Sequence, residues 1–190
     1  MDAPSPAAPT PSTPTPTASG LVYADVPNRA IAFIIDAILL AVIGFVVTAI
    51  LGGLGLSAGT LQPDLTFSIN PVGVVVQGIV NLIISAGYFI YTWTSMRATV
   101  GMRVLGMQIG NAGDGRTLTT DQALRRYLAI WGPNLIAQVL SPIPLISFVF
   151  GLIAIGWIIY LIYTTANSPT KQGWHDVFAN TQVVKTAKTV

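Results

Sequence analysis

Apolar segments separated by polar stretches dominate the chain after its first 22 residues. A helix needs about 20 mostly apolar residues to cross a bilayer, so the pattern predicts spans at about residues 30–51, 71–93, 123–140 and 145–163. The third segment is continuously apolar only over residues 127–140, which covers about 21 Å of a hydrocarbon core roughly 30 Å thick. It spans if the turn at residues 123–126 is included, and a re-entrant hairpin is the alternative. The predicted fold class is an all-α membrane protein with a four-helix transmembrane bundle.

Polar side chains recur at helical spacing inside these segments. Arg29 and Asp36 stand seven residues apart at the start of the first span, so they share a face and lie about 10 Å apart along the axis. Two amide pairs on the second and third spans are each spaced by four residues, Gln77 with Asn81 and Asn134 with Gln138. Such faces are costly toward lipid. We therefore expect a buried polar seam in which Asp36 accepts hydrogen bonds from an amide or a hydroxyl group.

The region between the second and third spans is polar and basic. Residues 104–109 and 116–119 flank a glycine-rich turn, which predicts a short β-hairpin within residues 97–120 at the membrane surface. Thr119 and Gln122 have capping-box spacing for the helix that follows. The arginines of this region form a predicted basic face of Arg97, Arg103, Arg116, Arg125 and Arg126.

The chain before the first span is a separate region. Residues 1–20 contain six prolines and are otherwise rich in Thr, Ser and Ala, a composition that cannot bury enough apolar surface to fold. They lack the basic start and short apolar core of a secretory signal. The predicted organisation is a disordered tail at residues 1–22, a membrane domain at residues 23–185 and a short C-terminal end at residues 186–190.

Composition and charge narrow the class of function. The chain is 52% hydrophobic and 8% charged, whereas soluble domains are about 25% charged. The absence of cysteine excludes disulfides and thiolate chemistry, and a net charge of +2 is too small for nucleic-acid binding. Apart from Arg29 at the start of the first span, every lysine and arginine lies between residues 97 and 126 or in the C-terminal tail, and the first and third loops have none. The positive-inside rule therefore predicts that both termini and the hairpin are cytoplasmic.

Three motifs in order along the chain carry a family resemblance. They are Asn28-Arg29-Ala30-Ile31-Ala32-Phe33-Ile34-Ile35-Asp36, then Val100-Gly101-Met102-Arg103-Val104-Leu105-Gly106-Met107-Gln108-Ile109, then Gln172-Gly173-Trp174-His175-Asp176 with Thr181-Gln182-Val183-Val184. In this order and spacing they resemble the RDD family of bacterial plasma-membrane proteins, which is named for one arginine and two aspartates. The resemblance assigns these to Arg29, Asp36 and Asp176, the last beside His175. Many members resemble Thr-Pro-Gly-Lys where this chain reads Thr99-Val100-Gly101-Met102, and the resemblance implies ion or solute transport for some members.

Three further expectations concern Arg29 and the two residues of the tail, His175 and Asp176. We expect Arg29 and Asp176 to form a buried pair that holds the tail against the first helix, because either charge alone would be costly there. His175 is the single histidine, so a metal site lacks ligands. Adjacent His175 and Asp176 cannot orient each other as a catalytic triad requires. We expect no catalytic site, no metal and no cofactor.

Two classes of function remain for a protein in contact with the lipid bilayer. A small ion- or proton-coupled transporter would use Asp36, with the seam amides lining a polar path. An accessory or scaffold subunit would instead pack on a larger membrane complex or on further copies of itself. A chain of 20.0 kDa is small for a transporter, so size favours the scaffold, whereas the family resemblance favours the transporter.

Overall fold

The computed structural model describes residues 21–140 and 144–186. The predicted disordered tail, residues 1–22, falls outside the described residues except for Leu21 and Val22. These two residues belong to a β-strand, so this end of the predicted tail is wrong. The predicted C-terminal end, residues 186–190, likewise falls outside them except for Thr186, the last residue of another strand.

Helices make up most of the described chain. Their bounds are α1 Val26–Gly53, α2 Pro71–Tyr91, α3 Val100–Val104, α4 Thr120–Val139, α5 Pro144–Asn167 and α6 Trp174–Phe178. A π-helical turn, Thr92–Met96, continues α2. Arg97 ends that turn in the left-handed conformation, with φ at 56°. This conformation redirects the chain out of the helix and into α3.

The starts of the long helices follow from their capping residues. Asp25 accepts a hydrogen bond from the Asn28 amide at 3.1 Å and Pro27 stands in the first turn of α1, where its missing N–H costs nothing. At α4, Thr119 and Gln122 form the predicted capping box in full. The cap positions thus define where the chain leaves irregular structure and enters each helix.

Three helices are long and apolar enough to cross a membrane: Val26–Gly53, Pro71–Met96 and Leu145–Asn167. They correspond to the predicted first, second and fourth spans. The predicted third span is contained in α4, one continuous helix that holds Pro133 in its interior. The described helices therefore include three candidate spans and one further, more polar helix alongside them.

Small antiparallel sheets accompany the helices, so the expectation of an all-α fold is only partly right. Strands β1 (Leu21–Tyr23), β4 (Met107–Asn111) and β5 (Thr181–Thr186) form one sheet in the order β1-β5-β4. Strands β2 (Gly59–Leu61) and β3 (Phe67–Ile69) form a second sheet. The predicted hairpin is not formed, because β4 pairs with β5 and residues 116–119 have no strand structure. The alternating tail segment supplies a better partner, with Thr181 and Val183 buried.

The two ends of the helices are built differently. We call the end with β1, β4, β5, α3 and α6 the sheet end, and the end with β2 and β3 the loop end. The buried apolar core lies at the sheet end and includes Phe89, Trp93, Met107, Ile109 and Tyr127. Away from it the helices expose large apolar side chains such as Phe45 and Val139, as lipid-facing surfaces do.

Candidate functional site

Asp176 lies at the centre of a buried ionic cluster at the sheet end. Its side chain is fully buried, at 0% exposure. Arg29 Nη1 donates to Oδ2 at 2.7 Å, Arg126 Nη1 donates to Oδ1, and the Gly173 amide donates to Oδ2 at 3.1 Å. The contact predicted between Arg29 and Asp176 is therefore present. It is one side of a three-residue cluster that joins α1, α4 and α6.

Arg29 also fixes the segments on either side of it. Its Nε donates to the Ala24 carbonyl at 2.9 Å, and Nη2 donates to the Lys171 carbonyl at 2.7 Å. The planar guanidinium presents five donors in a fixed fork, so one side chain can satisfy partners in different directions. Arg29 thereby joins the start of α1 to the connection between α5 and α6.

Arg126 corrects a sequence-based prediction. It was assigned to the predicted basic face with four other arginines, but it is buried and contributes to the cluster. Besides Asp176, its Nη1 donates to Thr181 Oγ1 at 2.5 Å, and its guanidinium stands 5.3 Å from the centre of the Trp93 ring. The reason is position on α4, because Arg126 shares its side of the helix with buried Ala123 and Tyr127, whereas Arg125 points outward to exposed Asp121.

Burial and the neighbouring charges set the protonation of the cluster. Burial alone would raise the pKa of Asp176, but the Arg126 and Arg29 guanidiniums outweigh it and hold the pKa well below its usual range. Burial lowers the pKa of His175 to about 4, opposed in part by Asp176 and reinforced by the two arginines. His175 Nε2 lies 3.5 Å from Asp176 Oδ2. At neutral pH the cluster is therefore two cations and one anion beside a neutral histidine.

Asp36 forms a second buried site, one that joins α1 to α2 and α3. It is 3% exposed. Oδ1 accepts from the Tyr88 hydroxyl at 2.6 Å and the Gly101 amide at 2.8 Å, and Oδ2 accepts from the Thr99 hydroxyl at 2.6 Å. Of the two kinds of donor expected, hydroxyls are present and side-chain amides are not. Sequence analysis missed Tyr88, Thr99 and Gly101 as partners.

Gly101 makes this site possible because α3 approaches α1 very closely there. A Cβ atom at residue 101 would stand 2.0 Å from the Ala32 carbonyl oxygen, closer than any side chain allows. In the stretch that departs from Thr-Pro-Gly-Lys, this chain retains the threonine and the glycine, and these are the two residues that contact Asp36. Met102, which takes the place of the lysine, is buried in the core.

The seam amides do not join Asp36. Gln77 donates to the Thr48 hydroxyl on α1, and Asn81 lies beside Gly44. Asn134 and Gln138 are both exposed, and Gln138 lies beside Gly78 of α2. The described contacts therefore join Gln77 and Asn81 to α1, but they bring none of these side-chain amides to Asp36.

The remaining arginines of the predicted basic face have local partners. Arg97 donates to the Gly115 carbonyl at 2.5 Å and Arg103 to the Met96 carbonyl at 3.3 Å. Arg116 pairs with Asp114 at 3.4 Å and Arg125 with Asp121 at 2.9 Å, all with substantial exposure. Within residues 21–140 and 144–186, no group of three or more His, Cys, Asp or Glu residues could hold a metal ion.

Comparison with known proteins supports the family resemblance carried by the three sequence motifs. No curated protein and no solved structure matches the chain significantly. The family model described as "RDD family" matches residues 23–180. The match includes Arg29, Asp36 and Asp176, and it covers most of the chain. The chain therefore belongs to the RDD family.

Proposed function

We propose that this chain is a non-catalytic accessory or scaffold subunit of a larger membrane assembly, formed with other subunits or with further copies of itself. One observation carries the proposal: both oxygens of Asp36 accept hydrogen bonds from the chain's own donors, at 2.6 to 2.8 Å. A carboxylate held in this way joins helices, whereas a transport site must exchange its cation or proton.

The setting of Asp36 supports the same conclusion. A transport path needs further polar groups next to the carboxylate, and the amides best suited to it are elsewhere, with Gln77 on Thr48 and Gln138 beside Gly78. The alternative is a small ion- or proton-coupled transporter that uses Asp36. The transporter is supported by the position of Asp36, because a carboxylate buried within a membrane helix is by default a candidate functional site.

The proposed topology follows from helix length and charge. A helix of 20 residues, the length of α4, extends about 30 Å and matches the hydrocarbon core. We propose that α4 is the third span along the chain, which makes four in all, with Asp121 and Arg125 at the interface. The sheet end and both termini then lie in the cytoplasm of a bacterial cell and the loop end lies outside, as the positive-inside rule predicts.

The test combines particle mass with flux. The protein is purified in mild detergent, and its particle mass is compared with the 20.0 kDa of one chain. We expect a larger particle with a reproducible set of subunits. We also expect no cation or proton flux above background in proteoliposomes of the wild type. Flux in the wild type that disappears in Asp36→Asn, at matched folded protein, would replace the proposal with the transporter.

Asp36→Asn is suited to this test because the site can accommodate it. The Asn carbonyl can accept from Tyr88 and Gly101, and its NH₂ group can donate to the Thr99 hydroxyl, which also has acceptor lone pairs. The matched control is Asp64→Asn at the loop end, where the carboxylate is exposed and contacts only Thr66. Both variants remove one titratable group, but only the first removes it from the membrane helices.

A further inference from the structure

A cavity of about 330 Å³ lies between the helices next to the ionic cluster. Its wall is mostly apolar and includes Phe33, Phe89, Ile130, Trp131 and Leu161, from four different helices. Ligand-binding cavities in proteins are about 300 to 1,000 Å³, so this volume is at the lower end of that range. It suits one acyl chain rather than two.

The cavity opens toward the apolar surface between α1 and α5. Ile34 on α1 and Ile158 and Ile162 on α5 line it, and all three are exposed on the outside of the helices. Both helices are candidate membrane spans. A ligand dissolved in the bilayer can therefore enter from the side without crossing the sheet end.

Two buried N–H groups belong to residues of the inner wall. Trp93 Nε1 and Arg126 Nε belong to side chains that line the cavity, are 3% and 5% exposed, and have no hydrogen-bond partner in the described part of the chain. Both atoms can only donate. His175 Nδ1, a further unpaired atom, lies close to Gly173. A ligand head group that pairs with these N–H groups must therefore present acceptor atoms.

The local charges favour an anionic acceptor. Arg29 and Arg126 share the single carboxylate of Asp176, which leaves one positive charge in excess in the ionic cluster. Asp36 also borders the cavity. Tyr88, Thr99 and Gly101 occupy its oxygens but leave its negative charge in place, so the excess positive charge is that of the ionic cluster and not of the whole cavity wall. A carboxylate has two oxygens with several acceptor sites, and charge-assisted hydrogen bonds are stronger than neutral ones.

We propose that this cavity binds a long-chain carboxylate from the bilayer, with its chain between α1 and α5 and its head at Trp93 and Arg126. Binding requires neither partner subunits nor flux, so its test is independent of the function proposed above. The probe is radiolabelled palmitate, bound to the purified full-length protein in non-ionic detergent and measured by retention with the protein. We expect saturable binding at one site per chain.

The head group is tested on the wild type by competition. Hexadecanol has the same chain length without the charge, and phosphatidylglycerol is anionic but has two chains. We expect hexadecanol to displace palmitate about tenfold less well than unlabelled palmitate does, a difference of about 1.4 kcal/mol, because charge-assisted hydrogen bonds are stronger than neutral ones. We expect phosphatidylglycerol to be weaker by at least as much, because its two chains exceed the volume of the cavity. Equal displacement by either competitor, or binding that does not saturate, would overturn the proposal.

Two variants locate the site. Trp93→Phe keeps an aromatic ring, although a smaller one, and removes the N–H group, and we expect about fivefold to tenfold weaker palmitate binding from the loss of one hydrogen bond. Ile158→Trp should obstruct the opening and weaken binding further. The matched control is Ile155→Trp, which changes another exposed α5 isoleucine, one that does not line the cavity. Unchanged affinity in both Trp93→Phe and Ile158→Trp, or an equal loss in Ile155→Trp, would place binding elsewhere.

Discussion

The sheet end and the loop end hold the same helices by different means. At the sheet end, buried charges connect segments far apart in sequence, as Arg29 does with Asp176 and Asp36 with Gly101. At the loop end, β2 and β3 pair across a short turn, and the adjoining helices meet through small residues and an amide contact, Gln77 with Thr48. The stability of the fold should therefore depend strongly on a few polar side chains at one end and weakly on those at the other.

The largest expected effect comes from removing the centre of the ionic cluster. Asp176→Ala leaves the buried Arg126 without its carboxylate and Arg29 with only carbonyl partners. Leaving a buried charge unpaired costs about 3 to 5 kcal/mol, so we expect a low folded yield and a much lower melting temperature in detergent. Asp64→Ala at the loop end is the control and should melt like the wild type.

The cluster also predicts how single arginine variants rank. Arg29→Ala leaves Asp176 paired with Arg126, so it should destabilise less than Asp176→Ala. Exchanging Arg29 and Asp176 should not restore stability, because the new arginine at residue 176 would face Arg126. Recovery of the melting temperature on exchange would mean that Arg126 contributes little and that the cluster is a simple pair.

The second prediction concerns pH. The pKa of His175 is lowered to about 4 in the fold, whereas an unfolded histidine has a pKa of about 6.5. Between these values the unfolded state binds a proton that the folded state does not, so stability should fall as the pH is lowered from about 6.5 to about 4, by roughly 3 kcal/mol. The carboxylate of Asp176 acts in the same direction, but only below its unfolded pKa of about 3.9.

Melting temperature measured across this pH range, for the wild type and His175→Gln, isolates the histidine. Glutamine stays neutral at every pH and can still donate toward Asp176. We expect the variant to lose most of the slope between pH 6.5 and 4. An identical slope in both proteins would assign the pH dependence to other groups and would contradict a neutral, buried His175.

The third prediction compares two replacements of Asp36. Alanine leaves the Gly101 amide and the Tyr88 hydroxyl without the acceptor they share. Each buried donor left without an acceptor lowers the free energy of unfolding by about 1 to 3 kcal/mol. Asparagine keeps a carbonyl in that place and should cost less. The measurement is melting temperature in detergent at neutral pH, and equal losses for the two variants would indicate that the charge, rather than the hydrogen bonds, holds α3 in place.

The sequence predicted which helices and charged residues are important at the sheet end, but it predicted fewer of the contacts between them. The apolar runs gave α1, α2 and α5, and the caps at Asp25 and Thr119 gave the starts of α1 and α4. The pairing of Arg29 with Asp176 followed from the family pattern and from the cost of a lone buried charge. These features depend on local spacing or on a single strong energetic preference, and both can be derived from the sequence.

The contacts that were missed depend on the path of the chain between elements. Thr99 and Gly101 reach Asp36 because the π-helical turn and the left-handed Arg97 redirect the chain after α2, and no periodicity signals that change of direction. Arg125 and Arg126 are the same residue type on neighbouring positions, so only tertiary packing decides which is buried. Strand β4 had a plausible local partner, but a strand from the tail, β5, pairs with it instead.

The smallest expected effect is at the loop end. Gln77→Leu removes the hydrogen bond to Thr48 but keeps the size of the side chain and adds apolar surface. Hydrogen bonds between membrane helices contribute about 0.6 kcal/mol on average, so the melting temperature in detergent should change very little. Thr48→Val, which removes the other partner, should behave in the same way. A loss comparable to that of Asp36→Ala would show that polar contacts hold both ends equally, and the contrast between the two ends would then no longer stand.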